Sequence, residues 1–168
     1  MIATSATTTH IEPNWIIEKA QFHQIGKMKK ILQENLPYIS VSTVRSLASQ
    51  WRHYWVIKSE NDDTLIGLGA LITVQANTVE LRGIAIANEY RQQKFANTLI
   101  DKLISHAKVK KLNLVCVTRL PTLFKKFGFV ESIPFWLQSG RPQLNQNARL
   151  PESKLPPRKS LILPAETT

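Results

Sequence analysis

A short basic turn stands between a β-rich run and an amphipathic helix, and its residues are suited to binding an anion. The run TVELRGIAIA (residues 78–87) is typical of a strand, and the turn RQQKFA (residues 91–96) is polar and basic and contains no glycine. A helix that begins directly after a strand directs its unpaired N–H groups and the positive end of its dipole beyond the strand tip. The pattern therefore predicts a phosphate site, in which the N–H groups of residues 93–97 form the cradle and Arg91 and Lys94 add charge.

The formal net charge of +10 is the one unusual feature of the composition. It favours an anionic partner, and leaves nucleic acid, an acidic surface and a phosphate-bearing cofactor as alternatives. The lysines form separate short groups and do not alternate with aromatic residues as in a single-strand binding platform. Nucleic acid is therefore the less favoured partner. No histidine has a metal-ligand partner at a useful spacing, so no metal site is predicted.

The remaining composition is that of one globular domain. A chain of 168 residues, 43% of them apolar, is long enough to bury a core. No apolar run reaches the length of a membrane span, and the N-terminal residues lack the pattern of a secretory signal. Cys116 is the only cysteine, which excludes an internal disulfide and indicates a reducing compartment. We expect a cytoplasmic protein without a membrane partner, in which Cys116 is a small core residue; a catalytic thiol is the alternative.

Periodicity predicts the elements that must position the turn. The predicted order is β-α-α-β-β-β-α-β-α-β, with three consecutive strands at residues 53–59, 64–74 and 78–87 joined by tight polar turns. A strand–helix–strand crossover follows them. This order predicts an α/β fold with a mixed, mostly antiparallel sheet flanked by helices on both faces. The predicted core face of the helix after the turn consists of Leu99, Ile100, Leu103, Ile104 and Ala107.

The chain divides into three predicted parts. Residues 1–12 are polar and threonine-rich and are expected to form a flexible arm, and residues 13–138 form the domain. Residues 139–168 contain five of the nine prolines, a density that disfavours a long helix or a central strand. We expect this basic, proline-rich tail to extend over the domain surface, with KSLILP (residues 159–164) docking as a short edge strand.

Two segments resemble the motifs of one family. VELRGIAIANEYRQQKFANTLIDKLI resembles the central motif of the GNAT N-acetyltransferases, in which a strand leads to Gln/Arg-x-x-Gly-x-Gly/Ala and then to a helix; Arg91 and Ala96 match, and Lys94 replaces the usual glycine. LFKKFGFVES resembles the later motif of the family, a short helix that ends in a Gly-Phe pair. The resemblance covers residues 14–137. It implies the acyl-CoA N-acyltransferase fold, with acetyl-CoA as donor and an amine as acceptor.

The resemblance also implies where acetyl-CoA binds. Its pyrophosphate would lie on the N–H groups of the turn and the helix start, and its pantetheine arm along the strand edge. The implied residues are Ile84, Ala85, Ile86, Arg91, Gln92, Gln93, Lys94, Phe95, Ala96 and Asn97. Gly83 in mid-strand indicates a bulge or a close backbone approach, and in the family a distortion of this strand makes room for the thioester. A helical Lys94 would cost little, whereas a positive φ would add a strain of about 1 kcal/mol or more.

Acetyl transfer requires a neutral amine, so a base must accept its proton. Glu80 lies eleven residues before Arg91, the spacing of the glutamate base in histone-acetylating members of the family, and is the predicted catalytic residue. A strand glutamate that faces solvent and pairs with Arg82 is the alternative. Phe124 stands where many members carry the tyrosine that protonates the leaving thiolate, but phenylalanine is ordinary in the N-acetylglutamate synthase branch. We expect Phe124 to pack against the pantetheine arm or the core. Thr118 also fits that branch, where its hydroxyl contacts the cofactor arm or caps the strand end.

Two functions follow from the sequence. The first is an acetyl-CoA-dependent N-acetyltransferase that acts on a small amine, an amino acid or a protein amine, as a monomer or a homodimer. The second is a non-catalytic module on the same fold that binds CoA or RNA. On the second interpretation, Lys94 and Phe124 are signs of lost chemistry.

Overall fold

The computed structural model describes residues 14–36, 38–133 and 157–164, so the predicted arm and most of the predicted tail lie outside the described residues. The strands and helices follow one another in the predicted order, and a strand in the predicted tail comes last. The strands are β1 (Trp15–Lys19), β2 (Tyr54–Ser59), β3 (Leu65–Gln75), β4 (Thr78–Ile86), β5 (Asn113–Thr118), β6 (Val130–Glu131) and β7 (Lys159–Leu163). The helices are α1 (Ile25–Glu34), α2 (Val41–Gln50), α3 (Phe95–Val109) and α4 (Pro121–Lys125).

The seven strands form one sheet in the order β1-β2-β3-β4-β5-β7-β6. β1 to β4 pair antiparallel. Short turns join β2 to β3 and β3 to β4, as in hairpins, whereas α1 and α2 lie between β1 and β2. β4 and β5 are parallel neighbours because α3 carries the chain back across the sheet between them. The predicted mixed, mostly antiparallel sheet is therefore confirmed.

The last strand occupies a different place from the one predicted. β7 lies between β5 and β6, and the two-residue strand β6 forms the edge, so the expected edge position of residues 159–164 is wrong. β7 pairs with β5 from Leu114 to Thr118. A proline disfavours an internal strand only where it lies within that strand, because proline has no backbone N–H to donate to the neighbouring strand. Here Pro157 and Pro164 flank the strand, and the five residues between Arg158 and Pro164 contain none.

Apolar layers cover both faces of the sheet. α3 covers one face and buries the five residues predicted for its core side: Leu99, Ile100, Leu103, Ile104 and Ala107. α1 and α2 cover the opposite face through Met28, Leu32 and Leu47. Cys116 belongs to the α3 layer, where burial and then the negative charge of Glu80 raise the pKa of its thiol. Its predicted core position is confirmed. Within the described residues, no helix is both long and apolar enough to cross a bilayer.

The internal position of β7 predicts the effect of shortening its buried side chain. Leu161 is fully buried in the α3 layer, so Leu161→Ala should lower the free energy of unfolding by about 2–5 kcal/mol. The matched control is Val130→Ala in the edge strand β6, where the side chain is exposed and the expected change is about 0.5 kcal/mol or less. Urea unfolding measures both. Equal, small losses would contradict the internal position.

Candidate functional site

The pairing between β4 and β5 stops before either strand ends. Its last pair is Leu81 with Cys116, and beyond it the two strands have no further ladder contacts among the described residues. At the same point, β4 shifts its register against β3, and Gly83 has a φ of 65°. The bulge predicted at Gly83 is therefore confirmed. Beyond Leu81, the β5-facing edge of β4 has no neighbouring strand within the described part of the chain.

A cleft opens where the two strands separate. Tyr38 and Ile39, in the connection between α1 and α2, line it on one side of the sheet. Leu123 and Phe124 of α4 line it on the other side. Ile84 of β4 contributes from the strand edge itself. The cleft thus joins the two faces of the sheet and provides a route through it for an extended ligand.

The basic turn takes a left-handed backbone. Lys94 has a φ of 63° and Gln92 a φ of 65°. The helical conformation considered for Lys94 is therefore contradicted, and its positive φ adds a strain of roughly 1–2 kcal/mol. α3 begins at Phe95 with Lys94 as N-cap, and neither a side-chain cap nor an acidic residue occupies its first turn. Among the residues that the structure describes, its first N–H groups thus lack the partner that a capping side chain supplies.

The charged and polar residues of the turn are exposed, but Arg91 has a structural partner. Its Nη2 donates to the carbonyl oxygen of Glu34 at 3.0 Å, at the end of α1. The backbone N–H of Asn88 donates to Oε2 of Glu34 at 3.3 Å. Gln93 Nε2 donates to the carbonyl oxygen of Glu89 at 3.5 Å. Arg91 therefore fixes the turn to the carbonyl end of α1, where a cation is favoured by the helix dipole.

The three residues predicted to line the strand edge lie in different surroundings. Ile84 is half-buried and lines the cleft. Ala85 is buried in the layer under α1 and α2, and Ile86 in the layer under α3. The carbonyl oxygen of Ile86 accepts a hydrogen bond of 3.0 Å from Asn35 Nδ2, a contact that sequence reasoning missed. Of the three residues, Ile84 alone lines the cleft.

The remaining residues of the predicted phosphate cradle lie at the start of α3. Phe95 is buried, and its ring packs edge to face on Trp15 and Tyr90 at centroid distances of 5.8 and 6.3 Å. Ala96 and Asn97 follow it in the first turn and are half-buried. The structure therefore brings together Gln92, Lys94, Phe95, Ala96 and Asn97 around the uncapped helix start.

Glu80 is buried on the sheet face under α1 and α2, with 6% of its surface exposed. It forms an ion pair with Arg82. The alternative of a solvent-facing glutamate is thus contradicted, while its pairing with Arg82 is observed. Sequence reasoning missed Tyr54, which is fully buried nearby and carried no signal beyond its position at a strand start. Burial, opposed by Arg82 and assisted by Glu80, raises the pKa of Tyr54 to about 12.

Thr118 and Phe124 lie on the α4 side of the cleft. The Oγ1 of Thr118 accepts a hydrogen bond of 2.9 Å from the N–H of Leu120, so this hydroxyl caps the end of β5. Phe124 is buried and packs edge to face on Phe129, with ring centroids 5.8 Å apart. Both residues line the cleft. In the part of the chain that the structure describes, no three His, Cys, Asp or Glu side chains form a group able to hold a metal ion.

Comparisons with known proteins agree with this geometry. Residues 50–131 match the model of the acetyltransferase (GNAT) domain, a range that includes Glu80, the basic turn and Phe124. A search of curated protein sequences found no match to the chain. Among solved structures, Rv2747 from Mycobacterium tuberculosis in complex with CoA is 16% identical with a TM-score of 0.71, and the alignment covers 88% of this chain and 98% of that one.

Two further structures represent different acetyltransferases. The ribosomal-protein-S18-alanine N-acetyltransferase from Escherichia coli is 15% identical with a TM-score of 0.69, over 92% of this chain and 96% of that one. The N-acetylglutamate synthase from Neisseria gonorrhoeae, complexed with coenzyme A and N-acetyl-glutamate, is 16% identical with a TM-score of 0.67. That alignment covers 92% of this chain but 36% of the synthase. The synthase branch is thus one of several with this fold and stays a prediction.

These likenesses confirm the predicted fold, an α/β sheet flanked by helices that is shared with GNAT acyl-CoA N-acyltransferases. The family model adds a match in sequence over the β4–α3–β5 region that builds the cleft. The match of residues 50–131 to the acetyltransferase (GNAT) domain model and the shared fold are what this chain has in common with the GNAT acetyltransferases.

Proposed function

We propose that the chain transfers an acetyl group from acetyl-CoA to a primary amine, with the thioester held in the cleft between β4 and β5. The observation that carries the proposal is the position of the cleft. It begins where β4 and β5 lose their pairing, and α3, with its uncapped first turn, starts close beyond the end of β4. A CoA molecule combines an extended arm with a pyrophosphate, and the unpaired strand edge and the helix start match these two parts.

The pyrophosphate is assigned to the N–H groups of the turn and the first turn of α3. Left-handed residues in such a turn direct successive N–H groups into one concavity, which is an arrangement that binds anions. The ammonium group of Lys94 is exposed and adds positive charge at this place. Arg91 is assigned a positioning role, because its guanidinium already holds the turn against Glu34. The pantetheine arm is assigned to the β4 edge at Ile84.

The chemistry requires a proton acceptor and a route for the leaving sulfur. Glu80 is assigned as the base that accepts the amine proton, directly or through water. The neutral amine nitrogen then attacks the thioester carbonyl carbon, and the C–N bond forms. The C–S bond breaks with CoA leaving as the thiolate, and the nitrogen loses its extra proton to water as the amide forms. Phe124 has no proton to donate, so it is assigned a packing role beside the thioester, and the thiolate takes its proton from water. Thr118 is assigned to shaping the strand end.

Exchanging Lys94 separates its charge from its backbone conformation. Lys94→Gly removes both the ammonium and the left-handed strain, whereas Lys94→Ala removes only the ammonium. We expect the glycine variant to unfold at the same temperature as the parent or at a higher one. The alanine variant should be less stable than the glycine variant by about 1 kcal/mol in the free energy of unfolding. Both variants should bind acetyl-CoA a few-fold more weakly in calorimetric titration, since charge near phosphate is lost. Equal stability of the two variants would contradict the strained conformation.

Glu80→Gln keeps the shape of the side chain and removes its basicity. We expect turnover to fall about 10²-fold near neutral pH, the usual scale for a general base, with the affinity for acetyl-CoA nearly unchanged. Free-thiol release from acetyl-CoA and a panel of amines measures this, and Glu60→Gln at an exposed turn is the matched control. Intact turnover would make Glu80 a structural residue. A thermal shift by acetyl-CoA without thiol release from any amine would instead favour the non-catalytic CoA-binding module.

Phe124→Tyr restores the hydroxyl that many family members carry at this place. Phe124 lines the cleft from α4, so we expect the new hydroxyl to point into it and turnover to stay equal or rise modestly, since thiolate protonation gains a positioned acid. The loss of stability should then stay below about 1 kcal/mol. A loss of roughly 1–3 kcal/mol without a change in rate would show that the hydroxyl is buried without a partner. Thermal unfolding and thiol release measure the two quantities in one variant.

A further inference from the structure

Three arginines lie near the cleft, and two of them, Arg82 and Arg158, interact with Glu80. Arg82 follows Glu80 by two residues in β4, so the two side chains share a face of the sheet, and they form an ion pair. Arg119 comes directly after β5 and lines the cleft. Arg158 comes directly before β7 and is accessible to solvent. The three positions belong to three neighbouring strands.

The strand register places Arg119 and Arg158 on the face that carries Glu80. Val115 is the β5 partner of Glu80, so their side chains lie on the same face of the sheet. Side chains alternate along a strand, so Arg119, four residues after Val115, lies on that face as well. Thr118 pairs with Lys159 in the antiparallel β5–β7 ladder. Continuing the same register by one residue places Arg119 opposite Arg158.

The side chain of Lys159 supports this assignment of faces. As the neighbour of Arg158 in the chain, Lys159 should point to the opposite face of the sheet. Its Nζ lies 2.9 Å from Oε1 of Glu131. Glu131 is paired in register with Leu161, which is buried in the α3 layer. Lys159 therefore lies on the α3 side, and Arg158 on the side of Glu80.

The charges of this arginine cluster (Arg82, Arg119 and Arg158) act on one another. Partial desolvation lowers the pKa of Arg158, and the positive charges of Arg119 and Arg82 lower it further, while Glu80 opposes them. Glu80 is, among the described residues, the one carboxylate that acts on Arg158. Guanidinium groups stay protonated in proteins, so mutual repulsion of this kind is relieved by binding an anion rather than by losing a proton.

An unpartnered hydroxyl group lies at the inner end of the same region. Tyr54 is fully buried, and its hydroxyl has no hydrogen-bond partner among the described residues. A Cβ atom placed on Gly83 would lie 3.2 Å from that hydroxyl oxygen, so the hydroxyl reaches the bulge that borders the cleft. Buried polar groups are nearly always hydrogen-bonded, and an exception indicates an absent water or ligand.

We propose that the acetyl acceptor is an amine that also carries a carboxylate, which Arg158 and Arg119 bind while Glu80 faces the amine nitrogen. This inference rests on the N-acetyltransferase function proposed above and narrows its acceptor to the amino-acid class. Guanidinium groups bind carboxylates through paired, charge-assisted hydrogen bonds, which gives both affinity and orientation. The same cluster repels amines whose only other charges are positive, such as polyamines and lysine side chains in basic segments.

Amino acids and their C-terminal amides form matched acceptor pairs, because they differ in the charge of one group. With saturating acetyl-CoA, we expect kcat/KM from thiol release to be at least about ten-fold higher for the acid than for its amide. That ratio corresponds to about 1.4 kcal/mol. The amine of the amide is less basic than that of the acid, so a larger fraction of it is neutral and able to react. Amine protonation alone would therefore favour the amide, and it cannot produce a preference for the acid.

Two variants test the cluster itself. Arg158→Gln should lower kcat/KM for the acid by about ten-fold, and for the amide by less, so that the preference is largely lost. Lys159→Gln removes the same charge from the next residue on the opposite face and should leave the preference unchanged. The thermal shift produced by acetyl-CoA should persist in both variants, which shows that each is folded. If Arg158→Gln shows no thermal shift with acetyl-CoA, Arg119→Gln replaces it as the test variant.

The outcomes distinguish the inference from the function on which it rests. If the parent protein acetylates amides, or amines without a carboxylate, with the same kcat/KM as the acids, the carboxylate inference is overturned while the N-acetyltransferase function stands. If no amine in the panel releases thiol, both fall. A preference for acids that survives in Arg158→Gln and in Arg119→Gln would overturn the assignment of this cluster as the carboxylate site.

Discussion

The pairing of β4 with β5 lasts for four residues and then stops, and the site depends on that interruption. Gly83 bends β4 with a φ of 65°, and a Cβ atom at this position would lie 3.2 Å from the Tyr54 hydroxyl. Backbone conformation and space therefore both select glycine. β4 still pairs with β3 on its other side, so the strand stays in the sheet while one edge becomes available. The cleft between two apolar layers is the direct result.

The turn that follows keeps its shape without the glycine usual in the family. Lys94 holds a left-handed conformation that is strained for a residue with a Cβ atom. Neighbouring contacts hold it there, because the next residue, Phe95, is buried and packs on Trp15 and Tyr90. Arg91 adds a hydrogen bond to the end of α1. Packing on both sides of the turn thus replaces the conformational freedom that glycine would supply.

Electrostatics gives the site its second constraint. A carboxylate buried as deeply as Glu80 is unfavourable by several kcal/mol unless a cation lies beside it, and Arg82 is that cation. The charges of this pair and of Arg119 all act on Arg158, so the group proposed as the base and the groups proposed to bind an anion are electrostatically linked. The net charge of +10 does not by itself identify a partner. The clustering of three arginines near the cleft, however, favours a small anionic ligand.

Much of this structure was determined by local features of the sequence. The order of the elements, the buried face of α3, the bulge at Gly83 and the start of α4 at Pro121 all follow from periodicity and from glycine and proline, which act within a few residues. Contacts between distant segments decided the rest. The internal place of β7, the burial of Glu80 and the left-handed Lys94 depend on what packs against each of them. The cluster of Arg82, Arg119 and Arg158 depends on strand register, because these residues are far apart in the chain and only the pairing of β4, β5 and β7 brings them to one face.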